Sequence, residues 1–324
     1  VLDVGSNTVH LLVVDAHRGA HPTPTSSVKT TLRLAERIDA DGKLSDRGTQ
    51  ELVRAVNTAR EEARRTDCDE LIAFATSAVR DATNNGDVLR RVRERTGVEL
   101  EVMSGEDESR HTFLAARRWC GWSAGRLLVV DIGGGSLEVA FGIDEEPELA
   151  RSLPLGAGRL TRQRLPGDPP SRVDVAALRS WLDAELVPLA KQVRKLGSPD
   201  RAVATSKTFR SLARLTGAAP SSRGPRVRRT LTDTGLRQLI AFVSRMASAD
   251  IAELDGVSAS RAHQLVAGAL VAEATMRALD LPELEICPWA LREGVILRRL
   301  DHTDGAYPAE VTGRTGSHGA RWRR

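Results

Sequence analysis

The apolar positions of the chain fall into short runs and longer amphipathic stretches. Residues 1–4 and 8–15 are apolar or β-branched on either side of a Gly-Ser-Asn-Thr turn, and with 28–35 they predict three strands. Behind Ser45, a serine suited to an N-cap, Leu52, Val56, Ala59 and Ala63 recur at helical spacing. "LIAFA" (71–75) reads as a short buried strand, 87–96 as a helix closed by Gly97, "VELEVM" (98–103) as an alternating strand and 108–119 as a helix. The second half repeats the plan. Strands are expected at 126–131, 137–143 and 147–153, then a long amphipathic helix over 174–196 with Pro188 as a kink. A strand at 202–205 leads into a helix capped by Ser206. Helices at 232–247 and 259–279 read as insertions, and a strand at 284–287 and a helix at 289–300 close the unit. Residues 218–226 read as a surface loop.

Each half is therefore three meandering strands followed by α/β alternation, a mixed sheet with helices on both faces. The expected domains are 1–122 and 123–300, with the helix at 289–300 free to pack back on the first. Residues 301–324, which lack apolar periodicity, read as a disordered tail. A length of 324 residues suits two cores rather than one. Val1 already lies in a strand, so the natural chain is expected to start a few residues earlier.

Composition narrows the function. Aromatic residues are only 3%, too few for the stacking platforms of base-reading modules, and a net charge of +4 is compatible with an anionic ligand without demanding nucleic acid. No apolar run is long enough to span a bilayer, and without a signal peptide a cytoplasmic protein is expected. Cys68, Cys120 and Cys287 are widely spaced and read as reduced thiols. No histidine spacing suggests zinc.

The chemistry lies in two near copies of one turn. "DVGSNT", Asp3 to Thr8, and "DIGGGS", Asp131 to Ser136, each follow an apolar run, with Gly5 and Gly133 in the same phase. A tight hairpin explains one such turn; two in phase point to a duplicated unit. Glycine N–H groups can converge on an anion, and Ser6, Asn7, Thr8 and Ser136 add donors. Asp131, at a strand's end, suits a divalent metal or the orientation of a water. Arg80, after the strand 71–75, can pair with phosphate or with Asp81. In "SGEDES" the acids at a helix N-terminus are favoured by the dipole, and one of them pointing at substrate would suffice as a base.

The ordered stretches "DVGSNT", "ATSAVRDA", "SGEDE", "VVDIGGGS" and "ALREGV" resemble the exopolyphosphatase/guanosine pentaphosphate phosphohydrolase (Ppx/GppA) family from Val1 to about Leu300. "ATSKTFRSLARL" and "CPWALREGVI" look most like its short, two-domain actinobacterial exopolyphosphatases. The resemblance implies two ribonuclease-H-like domains of the sugar kinase, heat-shock ATPase and actin superfamily around an interdomain cleft. It implies Glu108 as catalytic base, with Asp131 working beside it on metal and water. Ser6, Asn7, Thr8, Arg80, Gly133, Gly134, Gly135, Ser136 and Arg261 become phosphate-binding positions, and Asp3 a further metal ligand beside Asp131 and Glu108. The implied cofactor is Mg2+, with Mn2+ as alternative, and a homodimer is the default assembly. The implied reaction releases orthophosphate from the ends of inorganic polyphosphate; hydrolysis of guanosine pentaphosphate uses the same chemistry and is the alternative. A superfamily kinase or ATPase and a non-enzymatic phosphate or nucleotide sensor are the remaining rivals. Two departures stand against nucleotide binding: Lys207 occupies a position often glycine, where it can bind phosphate or narrow a nucleoside pocket, and Trp289 precedes "ALREG". Longer members carry an additional helical domain, so a preference for short chains is expected.

Overall fold

The computed structural model describes residues 1–17, 19, 21–303 and 320–321. The chain forms two units. One holds Val1–His111 with the segment from Leu291 onward, the other Thr112–Ala290. These bounds differ from a division at 122/123: the chain passes from one unit to the other inside a helix, and the closing helix belongs with the first unit.

In the first unit, β1 (Leu2–Val4), β2 (Thr8–Val14), β3 (Pro24–Thr31), β4 (Glu70–Leu71), β5 (Ala73–Ala75) and β6 (Glu101–Val102) alternate with α1 (Asp46–Arg65), α2 (Ser77–Arg80), α3 (Asn85–Thr96) and the start of α4 (Gly105–Cys120). The sheet order is β3-β2-β1-β5-β6. β1 is antiparallel to β2 and parallel to β5, which is parallel to β6. Leu2, Val4 and Leu11 bury one face of this sheet against Leu52, Val56 and Ala59 of α1 and Val88 and Val92 of α3. Ser45 caps α1 as expected, accepting from the Gly48 N–H at 3.2 Å.

The second unit contains β7 (Leu127–Ile132), β8 (Leu137–Gly142), β9 (Leu149–Leu153), β10 (Arg201–Ala204), β11 (Thr230–Thr232) and β12 (Glu283–Ile286). Its helices are α5 (Ala157–Arg164), α6 (Arg172–Leu196), α7 (Ser206–Leu215), α8 (Asp233–Val243), α9 (Ser248–Ala252) and α10 (Leu265–Ala278). The order β9-β8-β7-β10-β12 repeats that of the first unit, and β11 adds an antiparallel edge strand. The duplicated ribonuclease-H-like plan is thus present. β7 is buried on both faces: Leu128, Val130 and Ile132 enter the larger core with α6 and α10, whereas Leu127 and Val129 pack with Phe113 and Ala116 of α4. Each such apolar side chain contributes about 1.5–3 kcal/mol through burial. α11 (Leu291–Thr303) returns to the first unit.

Several elements differ from expectation. β3 runs earlier than 28–35, because Leu34 and Ala35 bury themselves in a 3-10 turn, Leu34–Arg37. The alternating 98–103 pairs only at Glu101–Val102. Ser206 is not the cap of α7: Thr205 holds that place, and Ser206 is the first helical residue with φ 75°. The 259–279 stretch begins as a 3-10 segment, Ala259–Gln264. Helix α11 continues through Thr303, and Ala320–Arg321 (β13) pairs with β4, so these residues are not tail; the rest of the expected tail lies outside the described residues. Among the described residues, no helix is long and apolar enough to cross a membrane.

Candidate active site

The two sequence-matched turns have matched backbones. The Gly5 N–H donates to the Thr8 carbonyl at 3.0 Å, and the Gly133 N–H to the Ser136 carbonyl at 2.9 Å. In both units the amides that follow the third strand take up turn carbonyls. Asn7 O accepts from Leu32 and Arg33, and Ser6 O from Ala35; Gly133 O accepts from Ala157, and Gly134 O from Arg159. In the second unit Arg159 Nε also donates to Gly135 O at 2.9 Å. Gly156 lies so close to this turn that a Cβ there would fall 2.2 Å from the Gly135 carbonyl carbon.

The hairpins nevertheless project unequally. Val4, immediately before the first turn, pairs with Ala75 at the end of β5. At the end of β10, Ala204 pairs with Val130, which precedes Asp131 and Ile132. The second hairpin therefore reaches further past its parallel neighbour. Asp3 consequently sits inside its sheet, between His10 and Phe74. Asp131 sits beyond the end of β10, facing Glu138 across the hairpin and accepting a hydrogen bond from the Thr205 hydroxyl.

In the first unit, Asp3 Oδ2 accepts from Arg292 Nη1 of α11 at 3.0 Å. His10 beside it is buried and meets Ser27 Oγ at 2.7 Å. Burial, then the charges of Arg292 and Lys29, lowers its pKa to about 3. Ser6 and Asn7 are buried, and Ser6 Oγ meets Ser77 Oγ of α2 at 2.7 Å, tying the turn to the short helix that ends in Arg80. Arg80 pairs with Asp81, as its sequence allowed, and also reaches Glu108, which the sequence did not announce. Its Nε donates to Asp81 at 3.2 Å, and its Nη1 to Glu108 Oε2 at 3.0 Å and to the Met103 carbonyl at 3.2 Å. Among the three acids that open α4, Asp107 bonds Ser104 and Glu106 lies near Arg110, whereas Glu108 is mostly buried and fixed by Arg80.

In the second unit, Gly133, Gly134, Gly135 and Ser136 form the turn, and Ser136 is buried. Lys207 lies in the first turn of α7 and is exposed. Partial burial of its ammonium, then the charges of Arg210 and Arg261, pushes its pKa below the ordinary lysine value. A Cβ on Gly268 of α10 would meet Thr208 and Ala157, so the starts of α5, α7 and α10 converge near the turn. Trp289 packs tilted on Trp119, with ring centroids 5.3 Å apart, as part of an apolar cluster.

A sequence profile of the Ppx/GppA phosphatase family matches residues 13–303. The chain belongs to the Ppx/GppA phosphatase family. It is 70% identical to Exopolyphosphatase 1 of Mycobacterium tuberculosis, a match over 93% of this chain and 88% of that protein. Guanosine-5'-triphosphate,3'-diphosphate pyrophosphatase of Aeromonas hydrophila is 28% identical, over 91% of this chain and 58% of that protein. The fold matches the crystal structure of an exopolyphosphatase from Cytophaga hutchinsonii with a TM-score of 0.84 at 23% identity, covering 93% of this chain and 96% of that one.

Three residues of this Ppx/GppA chain escaped the sequence reading. Glu138 is a buried acid on β8, opposite Asp131 and accepting from Ser152 Oγ at 2.8 Å. Its signal was present: counting across a four-residue turn places it against Asp131. Thr205 and Arg159 gave no local signal, because their partners lie far away in sequence. No group of three or more His, Cys, Asp or Glu gathers as a metal site among the described residues. Two facing carboxylates still fit a Mg2+ ion, which commonly takes one or two protein carboxylates and completes its shell with water and phosphate oxygens.

Proposed function

We propose that the chain is an exopolyphosphatase that removes terminal orthophosphate from inorganic polyphosphate. The observation that carries this reading is Glu108, a mostly buried carboxylate fixed by Arg80 at 3.0 Å, a contact that would hold it in place as a base for water. The 70% identity to a protein named Exopolyphosphatase 1 supports the same substrate class. Asp131 and Glu138 would hold Mg2+, which when bound neutralises charge on the terminal phosphates. In the second unit the amides of Gly134, Gly135 and Ser136 bind phosphate oxygens, and in the first unit Ser6, Asn7, Thr8 and Arg80 do so. Lys207 and Arg261 take further phosphates. Glu108 accepts a proton as water oxygen bonds to the terminal phosphorus. The bridging P–O bond breaks, its electron pair stays with the shortened chain, and orthophosphate leaves. Asp3, engaged by Arg292, serves the fold of its sheet rather than the metal.

The test is orthophosphate release with Mg2+ from short polyphosphate and from guanosine pentaphosphate, wild type beside Glu108→Ala. Release from polyphosphate should fall by about 10²–10⁴ in the variant while the melting temperature holds. Release from the nucleotide alone would replace polyphosphate as the substrate, and release from neither would leave a phosphate sensor.

A further inference from the structure

We infer that Arg159 is a positioning residue that sets the orientation of the phosphate-binding turn in the second unit. A trans peptide points its C=O and the following N–H in opposite directions. Whatever holds the carbonyls of a glycine turn therefore decides where its amides face. Three consecutive carbonyls are held from one side by the start of α5. Gly133 O accepts from the Ala157 N–H at 3.0 Å and Gly134 O from the Arg159 N–H at 2.9 Å. Gly135 O accepts from Arg159 Nε at 2.9 Å. The amides of Gly134, Gly135 and Ser136 are thereby turned the opposite way, as a nest of parallel donors.

The first two carbonyls are caught by backbone amides, which any residue but proline supplies. The third is caught by a side chain, and it governs the Gly135–Ser136 peptide. Without Arg159 that peptide, next to glycines that accept either sign of φ, can turn its carbonyl toward the anion. In the first unit the corresponding turn carbonyls accept from the backbone amides of Leu32, Arg33 and Ala35. Gly156, approached too closely by the turn for any Cβ, belongs to the second unit's arrangement.

This inference rests on the proposed hydrolysis for its kinetic test, but not for its structural one. Arg159→Ala should lower kcat/KM for tripolyphosphate by about 10- to 100-fold, a loosened rather than a deleted transition-state donor. Arg159→Gln, neutral but still an N–H donor, should recover part of that loss. The dependence of KM on salt should keep its slope in both variants, because no charge touching substrate is lost. Gln as poor as Ala, with Lys restoring the rate and the salt slope reduced, would make Arg159 a direct phosphate contact and overturn the positioning role. Equal rates in wild type and Ala would overturn it as well. Should the wild type release no orthophosphate, the function fails separately. Hydrogen exchange at Gly135 and Ser136 then decides: faster exchange in folded Arg159→Ala sustains the inference, unchanged exchange ends it.

Discussion

The two units share a strand order, a turn and a hydrogen-bonding frame, yet their polar residues do different work. In the first unit the strand acid is flanked by a histidine and held by an arginine; in the second it is flanked by a glutamate and sits past the end of the neighbouring strand. The difference traces to how far each hairpin projects beyond its parallel partner. A carboxylate enclosed between strands must be paired to offset desolvation, whereas one at a strand's end can keep oxygens for a ligand. Duplication supplied two equivalent aspartates, and local register gave them different surroundings.

The strongest test of that contrast is to neutralise both aspartates in turn. Asp131→Asn should lower turnover by about a hundredfold or more, the several kcal/mol of charge stabilisation that a bound metal supplies, with little change in melting temperature. Asp3→Asn should do the reverse. It leaves Arg292 without its charge partner and should cost about 1–3 kcal/mol of stability, while the folded enzyme keeps most of its rate. Equal loss of turnover in both variants would break the contrast and return Asp3 to the metal. Gly156→Ala comes next. Its Cβ would fall 2.2–2.4 Å from backbone atoms of Gly135 and Ser136, which cannot yield as a flexible side chain would. A loss of about 3 kcal/mol or more is expected in thermal unfolding, together with weaker phosphate binding.

Acid should also separate the units. His10 binds its proton near pH 6.5 when unfolded but only near pH 3 when folded. Between these values the unfolded chain holds more protons, so stability falls as pH drops from 6.5 toward 3, by up to about 1.4 kcal/mol per pH unit. His10→Gln, which keeps a donor for Ser27, should flatten that slope. Four of the five tryptophans, Trp119, Trp122, Trp181 and Trp289, belong to the second unit, so a Trp322→Phe background confines the tryptophan signal to it. Ellipticity should therefore begin to fall at a higher pH than the tryptophan signal changes. Coincident transitions that His10→Gln leaves unmoved would remove His10 as the acid-sensitive group.

Much of this arrangement is legible in the sequence, because it is local. The paired turns, the Ser45 cap and the helical stripe on α1 are short-range patterns, and the frame repeats what those patterns specify. Glu108 stood out among three acids only through the family resemblance; the structure adds its bond to Arg80, a partner 28 residues away that no local pattern announces. What stayed hidden is long-range. Helix α5 has a weak apolar stripe, with Ala157 and Leu160 as its buried residues, and its importance lies in grasping a turn some twenty residues earlier. The Thr205–Asp131 bond and the unequal projection of the hairpins depend on strand register, which no run of residues announces.

The smallest expected effect concerns how each unit catches its turn. The first unit uses the amide of Arg33, which donates to Asn7 O at 3.0 Å with φ 52° and ψ 50°, the left-handed region that a side chain disfavours by about 1–2 kcal/mol. Arg33 offers little in return through its side chain: its contact with Glu36 is 3.7 Å long and exposed on both sides. Glycine removes the strain, offset in part by its greater freedom in the unfolded chain. Arg33→Gly should therefore raise stability by about 0.5–1 kcal/mol, read as a higher denaturation midpoint, and leave KM and kcat unchanged because the amide that holds the turn is retained. A rise in KM for polyphosphate would show instead that the Arg33 side chain takes part in holding the substrate, and that the first unit, like the second, controls its turn with a guanidinium.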